Sequence, residues 1–215
     1  IDKISNNKES IEAFIGKVVH EVLEWIYKKQ LDYYIWDNVE NKYDEIWNKN
    51  WHQNIFIAEI KTKYTKNYFK RLGLECLRNY YKNNGGPKID FSNFIGSEVK
   101  IKIEIDKYLF RGIIDRIDEN NKIIEIHDYK TGKPKQKKEL YNDMQLALYF
   151  LGLNKVNKNK KSIILNWHFL KESNKDKQHI QIKPDIDNIN NIKEKIIKYT
   201  SDIEKSIIKN KFPAK

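Results

Sequence analysis

Hydrophobic residues recur with two different periods along the chain, and the change of period separates helical from strand-forming parts. From about Lys8 to Gln30 the apolar residues recur at helical spacing, which predicts one amphipathic helix with a buried face. The helical period continues from Trp36 to about Asn83, where we expect two or three helices. The run Asn84-Gly85-Gly86-Pro87 ends this helical part, because glycine and proline interrupt helices.

Beyond Pro87 the pattern changes to the two-residue period of strands. A three-strand meander is predicted first, over residues 99–105, 108–118 and 122–130, with a turn at Glu119-Asn120-Asn121. The remaining predicted elements are a helix over 140–153, strands over 162–170 and 179–182, and a helix over 186–209. This order predicts an α/β fold, a mixed central sheet flanked by helices with a helical insertion between the first helix and the sheet. We expect a single domain over 1–215, with 31–86 as its helical elaboration.

Composition narrows the classes of function. Lys and Arg number 41 against 30 Asp and Glu, and the net charge of +11 favours a polyanionic partner such as nucleic acid. Only four of the 41 are arginine, and Asn and Ile are also abundant. Because an AT-rich genome produces this combination by codon bias alone, the basic charge carries modest weight.

The chain contains no apolar run of the roughly 20 residues that a membrane-spanning helix needs, so we expect no membrane partner. The first residues, Ile1-Asp2-Lys3-Ile4, are neither a signal sequence nor a start methionine, and we expect a fragment of a longer chain. The single cysteine, Cys76, excludes an internal disulfide framework and any thiolate-only zinc or iron–sulfur site within this chain. A reducing, cytoplasmic setting fits this cysteine usage.

Candidate chemistry lies where two predicted strands stop being aliphatic. Ile124, Ile126, Asp128 and Lys130 share one strand face, so a carboxylate and an ammonium end an apolar stripe. Folding the hairpin brings Asp115 of the partner strand towards Asp128. Two carboxylates in a partly buried place repel, and one stays protonated unless a divalent cation lies between them. Oxygen ligands of this kind suit Mg²⁺ or Mn²⁺.

The predicted helices offer further polar groups. Gly16, His20 and Glu24 fall at four-residue steps on one stripe of the first helix, where Gly16 allows another backbone to approach closely. In the later helix Gln145 and Tyr149 repeat this spacing, with side chains suited to a phosphate, a sugar or a base.

Four motifs occur in order along the chain: Gly16-Lys17-Val18-Val19-His20, Gly112-Ile113-Ile114-Asp115-Arg116-Ile117-Asp118, Asp128-Tyr129-Lys130-Thr131-Gly132 and Gln145-Leu146-Ala147-Leu148-Tyr149. Together they are similar to the ordered motifs of RecB-type nucleases. These nucleases belong to the PD-(D/E)XK superfamily, which includes the RecB and AddB nuclease domains and the CRISPR-adaptation exonucleases. Each motif alone is weakly informative, whereas four in the expected order form a strong signal. The resemblance implies a restriction-endonuclease-like sheet.

The resemblance also implies roles for individual residues. His20, Asp115, Asp128 and the backbone carbonyl of Tyr129 would bind the metal, as one or two Mg²⁺ or Mn²⁺ ions. Asp115, Asp128 and Lys130 would be catalytic, with Lys130 positioning or helping to deprotonate the attacking water. Other residues would support this centre: Gln145 and Tyr149 as nucleic-acid contacts or braces, and Glu24 and Glu98 as weaker candidates behind the ligands.

At the level of function the resemblance implies a metal-dependent deoxyribonuclease, exonucleolytic on single-stranded DNA or DNA ends, in repair, recombination or CRISPR-type DNA processing. A helicase domain or subunit is an expected partner. Many relatives carry cluster cysteines, one group of them beyond a segment like Phe212-Pro213-Ala214-Lys215. This chain stops there and Cys76 lies elsewhere, so no iron–sulfur cluster is expected in it.

Alternative interpretations remain open at this point. One is a catalytically silent nuclease fold that serves as a DNA-binding or assembly module of a helicase–nuclease complex. Another is an α/β domain that binds a small molecule or a protein, which requires the four motifs to be coincidental. At the level of residues, Asp128 and Lys130 can equally be interpreted as a strand-end ion pair, and Asp115, beside Arg116 and near Asp118, as a solvated carboxylate. His127 and His168 are interpreted as structural.

Overall fold

The computed structural model describes residues 8–31, 33–58, 61 and 63–211. The terminal segments Ile1-Asp2-Lys3-Ile4 and Phe212-Pro213-Ala214-Lys215 lie outside the described residues. The helices are α1 (Ile11–Lys29), α2 (Trp36–Asn50), α3 (Lys66–Asn83), α4 (Lys137–Leu140), α5 (Met144–Val156), α6 (Lys175–Gln178) and α7 (Ile186–Ile208). The strands are β1 (Glu9–Ser10), β2 (Ile55–Phe56), β3 (Phe94–Ile105), β4 (Tyr108–Glu119), β5 (Ile123–Lys130), β6 (Ser162–Phe169) and β7 (His179–Ile182).

Five strands form one mixed sheet in the order β3-β4-β5-β6-β7. The neighbouring pairs are antiparallel except β5 and β6, which run parallel and are connected through α5. At the β4–β5 turn, the side chain of Asn120 accepts hydrogen bonds from the backbone N–H groups of Lys122 and Ile123, each at 2.9 Å. The predicted α/β class with a mixed sheet between helices is therefore confirmed.

Helix α1 begins at a serine cap and is buried along one face. Ser10 Oγ accepts a hydrogen bond from the backbone N–H of Ala13 at 3.2 Å, as expected for an N-cap. The apolar stripe packs into the first core, which also contains the buried side chains of α2 and α3 and Tyr129 of β5. Because α1 is held in this way between the sheet and the insertion, its polar stripe is fixed in position beside the strands.

The insertion over 31–86 is mainly helical, as predicted, but it also contains a short strand. Of the two or three helices expected over 36–83, the described residues form two, and Ile55–Phe56 between them pairs in parallel with Glu9–Ser10. Gly73 allows α3 to approach α2, because a Cβ at this position would overlap the Tyr43 hydroxyl. The single-domain boundary of 1–215 stays a prediction.

The expectation of one continuous helix over 140–153 is wrong. The chain forms the one-turn helix α4, turns through 141–143, and restarts as α5. Asp143 causes the restart, since its carboxylate accepts hydrogen bonds from the backbone N–H groups of Gln145 and Leu146 at 3.0 and 3.2 Å. The second core lies between α5 and the sheet. Among the described helices, none is long and apolar enough to cross a membrane.

Candidate metal centre

The candidate site forms where β4 and β5 lie side by side. The antiparallel pairing ends at Arg116 and His127, and Asp115 and Asp128 are the next residues on the two strands, close enough for the charge of Asp115 to raise the pKa of Asp128. Asp115 is fixed by its backbone surroundings, because its Oδ2 accepts a hydrogen bond from the Tyr129 N–H at 2.8 Å. The structure thus brings together the two carboxylates that the predicted hairpin placed near each other.

The side-chain alternation of β4 breaks at Asp115. Ile114 packs in the core that contains Leu146 of α5, whereas Arg116, two residues further on, bonds to Tyr27 of α1. Residues two apart in a regular strand share a face, so the strand departs from regular geometry between them. On the neighbouring β3, Glu98 has a positive φ of 52°, which is strained for a residue with a side chain. These two irregular positions adjoin the candidate site.

His20 of α1 reaches the end of the same hairpin. Its Nε2 lies 3.0 Å from the backbone carbonyl oxygen of Tyr129, and its Nδ1 lies 3.6 Å from Asp115 Oδ1. Neighbouring ligands at right angles around a cation, each at 2.0–2.1 Å, lie about 3 Å apart. The His20 Nε2 and the Tyr129 carbonyl oxygen have this separation, but their contact is a hydrogen bond in which Nε2 donates, because a carbonyl oxygen only accepts. Nδ1, which faces Asp115, is then the nitrogen with a lone pair for a cation. The ligand roles that the sequence resemblance implies stay predictions.

Glu98 lies closer to the centre than the sequence indicated. The ligand atoms of His20, Glu98 and Asp115 all lie within 4.8 Å of one another. Opposite ligands of a Mg²⁺ ion are about 4.2 Å apart, so small side-chain rotations would bring all three to one ion. The donor set of one imidazole, two carboxylates and a carbonyl fits Mn²⁺ or Mg²⁺. Asp128 is not in this group of described side chains, although its charge acts on the same centre.

Electrostatics at the centre favour a bound cation. Burial raises the pKa of Glu98, and the charges of Asp115 and Glu24 raise it further. Burial also raises the pKa of Asp128 to about 6, while Lys130, with its Nζ 2.7 Å from Asp128 Oδ2, acts in the opposite direction. A divalent cation would offset both penalties by stabilising the ionised carboxylates. Glu24 forms an ion pair with Lys28, so it acts on the centre through its charge and is not one of the grouped ligand atoms.

Lys130 is held by α5 as well as by Asp128. Its Nζ donates a hydrogen bond to Gln145 Oε1 at 3.1 Å, and Gln145 Nε2 donates to the Tyr149 hydroxyl at 2.8 Å. The Tyr149 hydroxyl donates in turn to the backbone carbonyl of Ile113, and burial raises the pKa of Tyr149 to about 12. Tyr149 is therefore a buried brace. Gln145 is exposed, and its role as a nucleic-acid contact stays a prediction.

The centre opens into a cleft of about 530 Å³ between α1 and the start of the loop after β5. Several residues of this cleft were not predicted from the sequence, among them Lys17, an exposed cation on α1, Glu21, and Thr131, whose hydroxyl lies beside Gly16. The expectation that another backbone approaches Gly16 is not met among the described residues. The nearest group to a Cβ at Gly16 is Thr131 Oγ1 at 3.4 Å, an ordinary contact.

A buried cation, Arg116, lies beneath the site and was also missed. Its guanidinium bonds to the hydroxyls of Tyr27, Tyr80 and Tyr129, and its Nε lies 3.1 Å from Asp118 Oδ1. Arg116 is 5% exposed, so its charge is balanced by these partners and not by solvent. The sequence did contain a signal for this buried cation, because Arg116 is one of only four arginines in a lysine-rich chain. The network fixes the side chain of Tyr129, whose carbonyl faces His20.

Buried histidines extend this network away from the cleft, as their structural interpretation predicted. His168 Nε2 lies 2.9 Å from His127 Nδ1, and Arg116 Nη2 lies within hydrogen-bonding distance of the same imidazole. Arginine has no acceptor, so His127 accepts from it and must be neutral. Burial lowers the pKa of both histidines well below 6.5, and nearby positive charge lowers it further.

These histidines predict a pH dependence of stability. The unfolded chain takes up protons below pH 6.5 that His168 cannot bind when folded, so the free energy of unfolding falls as pH drops from about 6.5. Each such histidine contributes a slope of up to about 1.4 kcal/mol per pH unit. Urea unfolding between pH 7.5 and 5 should give a smaller slope for His168→Asn than for the unmutated chain. The exposed His52→Asn is the control, and equal slopes for His168→Asn and the unmutated chain would contradict the prediction.

A family model described as the PD-(D/E)XK nuclease superfamily matches residues 1–215. A search of curated proteins finds no match to this chain.

Proposed function

The chain belongs to the PD-(D/E)XK nuclease superfamily, and from this premise we propose that it is a Mg²⁺- or Mn²⁺-dependent deoxyribonuclease. The observation that carries the proposal is the convergence of His20, Glu98 and Asp115, whose ligand atoms lie within 4.8 Å of one another. We propose that His20, Asp115 and the Tyr129 carbonyl hold the ion. Glu98 adds to the predicted set, and Asp128 completes its negative charge.

A divalent cation in this centre supplies Lewis-acid polarisation of a phosphoryl oxygen and lowers the pKa of a bound water. The residues of the chain supply the rest. Lys130 projects its ammonium group into the same cleft, 2.7 Å from Asp128, where it orients the attacking water and offsets charge that develops on the phosphoryl oxygens. Gln145 and Tyr149 hold Lys130 in that position through their hydrogen bonds.

For the substrate we propose single-stranded DNA or DNA ends, cleaved exonucleolytically, because the ordered motifs resemble those of RecB-type nucleases. In that setting a helicase domain or subunit would deliver the strand, in repair, recombination or CRISPR-type DNA processing. A cytoplasmic location agrees with the single cysteine, Cys76, whose burial raises its pKa to about 12.

We expect the chain to cleave end-labelled DNA with Mn²⁺ or Mg²⁺ and to be inactive in EDTA, because the chelator removes the ion that polarises the phosphoryl oxygen. Single-stranded and double-stranded substrates labelled at either end give the preferred strand state and the polarity from the product ladder. DNA binding without cleavage under every metal would favour a silent module that binds DNA, in place of the proposed enzyme.

A further inference from the structure

The outer face of the β3–β4 hairpin carries three uncompensated cations. Lys100, Lys102 and Arg111 are exposed, and within the described part of the chain none of them forms an ion pair. Other cations near this hairpin are compensated: Lys107 lies 2.7 Å from Glu204, and Lys155 lies 2.7 Å from Glu104. Acidic partners are therefore available around the hairpin, yet none of the described residues supplies one to this face.

The cations share a face because of the strand register. Ile101 and Ile103 pack against α5 on the inner side, so Lys100 and Lys102 project from the opposite side. Lys102 pairs directly with Arg111, and Lys100 pairs with Ile113. Like charges placed directly opposite each other destabilise a sheet. The folded chain thus holds two cations together at a cost in stability, which an anionic ligand would relieve.

This face also has the shape and the location of a ligand site. The three cations and Ile113 line a groove of about 580 Å³ whose floor includes Ile101 and Gly112. Lys100 follows Glu98 by two residues, about 7 Å along an antiparallel strand, and Glu98 lines the metal cleft. The groove therefore begins two residues along β3 from the candidate metal centre.

We propose that this groove binds the phosphodiester backbone of the nucleic-acid strand on one side of the scissile phosphate. The proposal rests on the proposed function, since the metal centre defines where the strand is cut. Arg111 can hold a phosphate through two parallel hydrogen bonds, whereas Lys100 and Lys102 act as point charges. Backbone contacts of this kind position a strand without reading its sequence.

The test measures binding of fluorescein-labelled oligothymidylate by anisotropy in EDTA, from about 50 to 200 mM KCl. Log affinity falls as log salt rises, and each phosphate contact steepens this fall by about 0.7 for single strands. We expect Lys102→Gln and Arg111→Gln each to reduce the magnitude of the slope by about 0.7. The double variant should reduce it by about twice that amount. The matched control is Lys107→Gln, which removes the same charge from the tip of the hairpin, where Lys107 pairs with Glu204.

Two readouts distinguish a phosphate-binding groove from a general effect of net charge or of misfolding. The melting temperature of Lys102→Gln should be no lower than that of the unmutated chain, because the substitution removes a like-charge contact. An equal loss of slope in Lys107→Gln would overturn the groove, since only net charge would then matter. Cleavage with Mn²⁺ by the unmutated chain is measured separately. If the unmutated chain does not cleave DNA but the groove variants still reduce the salt slope, the proposed nuclease activity is refuted and the phosphate-binding groove stands.

Discussion

Replacing Lys130 by methionine is expected to slow metal-dependent cleavage by about 10²- to 10³-fold. Methionine keeps the side chain as far as Cε and removes the ammonium that lies 2.7 Å from Asp128. The loss falls on the chemical step, because the group that offsets developing charge on the phosphoryl oxygens is gone. Single-turnover cleavage of saturating single-stranded DNA in Mn²⁺ gives the rate constant directly.

The Lys130→Met variant should still bind Mn²⁺ at pH 8, because His20, Glu98 and Asp115 are intact and a repelling cation has been removed. Lys122→Met is the matched control, since the exposed Lys122 lies just before the opposite end of the same strand. Unchanged cleavage by Lys130→Met would exclude a catalytic lysine at this position.

Replacing Arg116 by methionine is expected to lower the free energy of unfolding by about 3–5 kcal/mol. The substitution leaves the half-buried Asp118 without its cation and removes the donor that three tyrosine hydroxyls and His127 share. For a chain of this length the melting temperature should fall by roughly 6–20 °C. Urea unfolding and thermal melting followed by circular dichroism measure the effect.

The control for Arg116→Met is Arg71→Met, an arginine on the exposed side of α3 that should change stability by no more than about 0.5 kcal/mol. Similar melting temperatures for the two variants would mean that the buried network contributes little to stability. At a temperature low enough for the Arg116→Met variant to stay folded, its cleavage of DNA should also be reduced, because the network fixes Tyr129 beside His20.

Much of the architecture could be predicted because its determinants are local. The change of period near Pro87 separated the helical insertion from the sheet, and the strands that followed lie within a few residues of their predicted bounds. The break at 141–143 was missed, since the apolar spacing of 140–153 is helical throughout. The signal there was Asp143, a helix-capping residue in the middle of an apparently continuous pattern.

The candidate site was only partly predictable for a different reason. Asp115 and Asp128 could be found because each lies where an aliphatic strand stops. His20 could be found from its position on a helix stripe together with the resemblance of the ordered motifs. Glu98 lies in the centre because its backbone has a positive φ and the strand alternation is broken nearby. The sequence pattern does not predict either feature. Arg116 faces α1 although Ile114 faces α5, and its partners come from two distant helices, α1 and α3, and from the neighbouring strand β5. Contacts of that kind depend on tertiary packing.

The proposed metal centre is tested best by titrating Mn²⁺ into the unmutated chain, Asp115→Asn and Glu98→Gln by isothermal calorimetry, on samples that are then assayed for DNA cleavage. We expect the unmutated chain to bind Mn²⁺ and to cleave, Asp115→Asn to lose both properties, and Glu98→Gln to bind more weakly. Undiminished Mn²⁺ binding by Asp115→Asn would contradict the proposal, because the ion would then lie somewhere other than the centre formed by His20, Glu98 and Asp115.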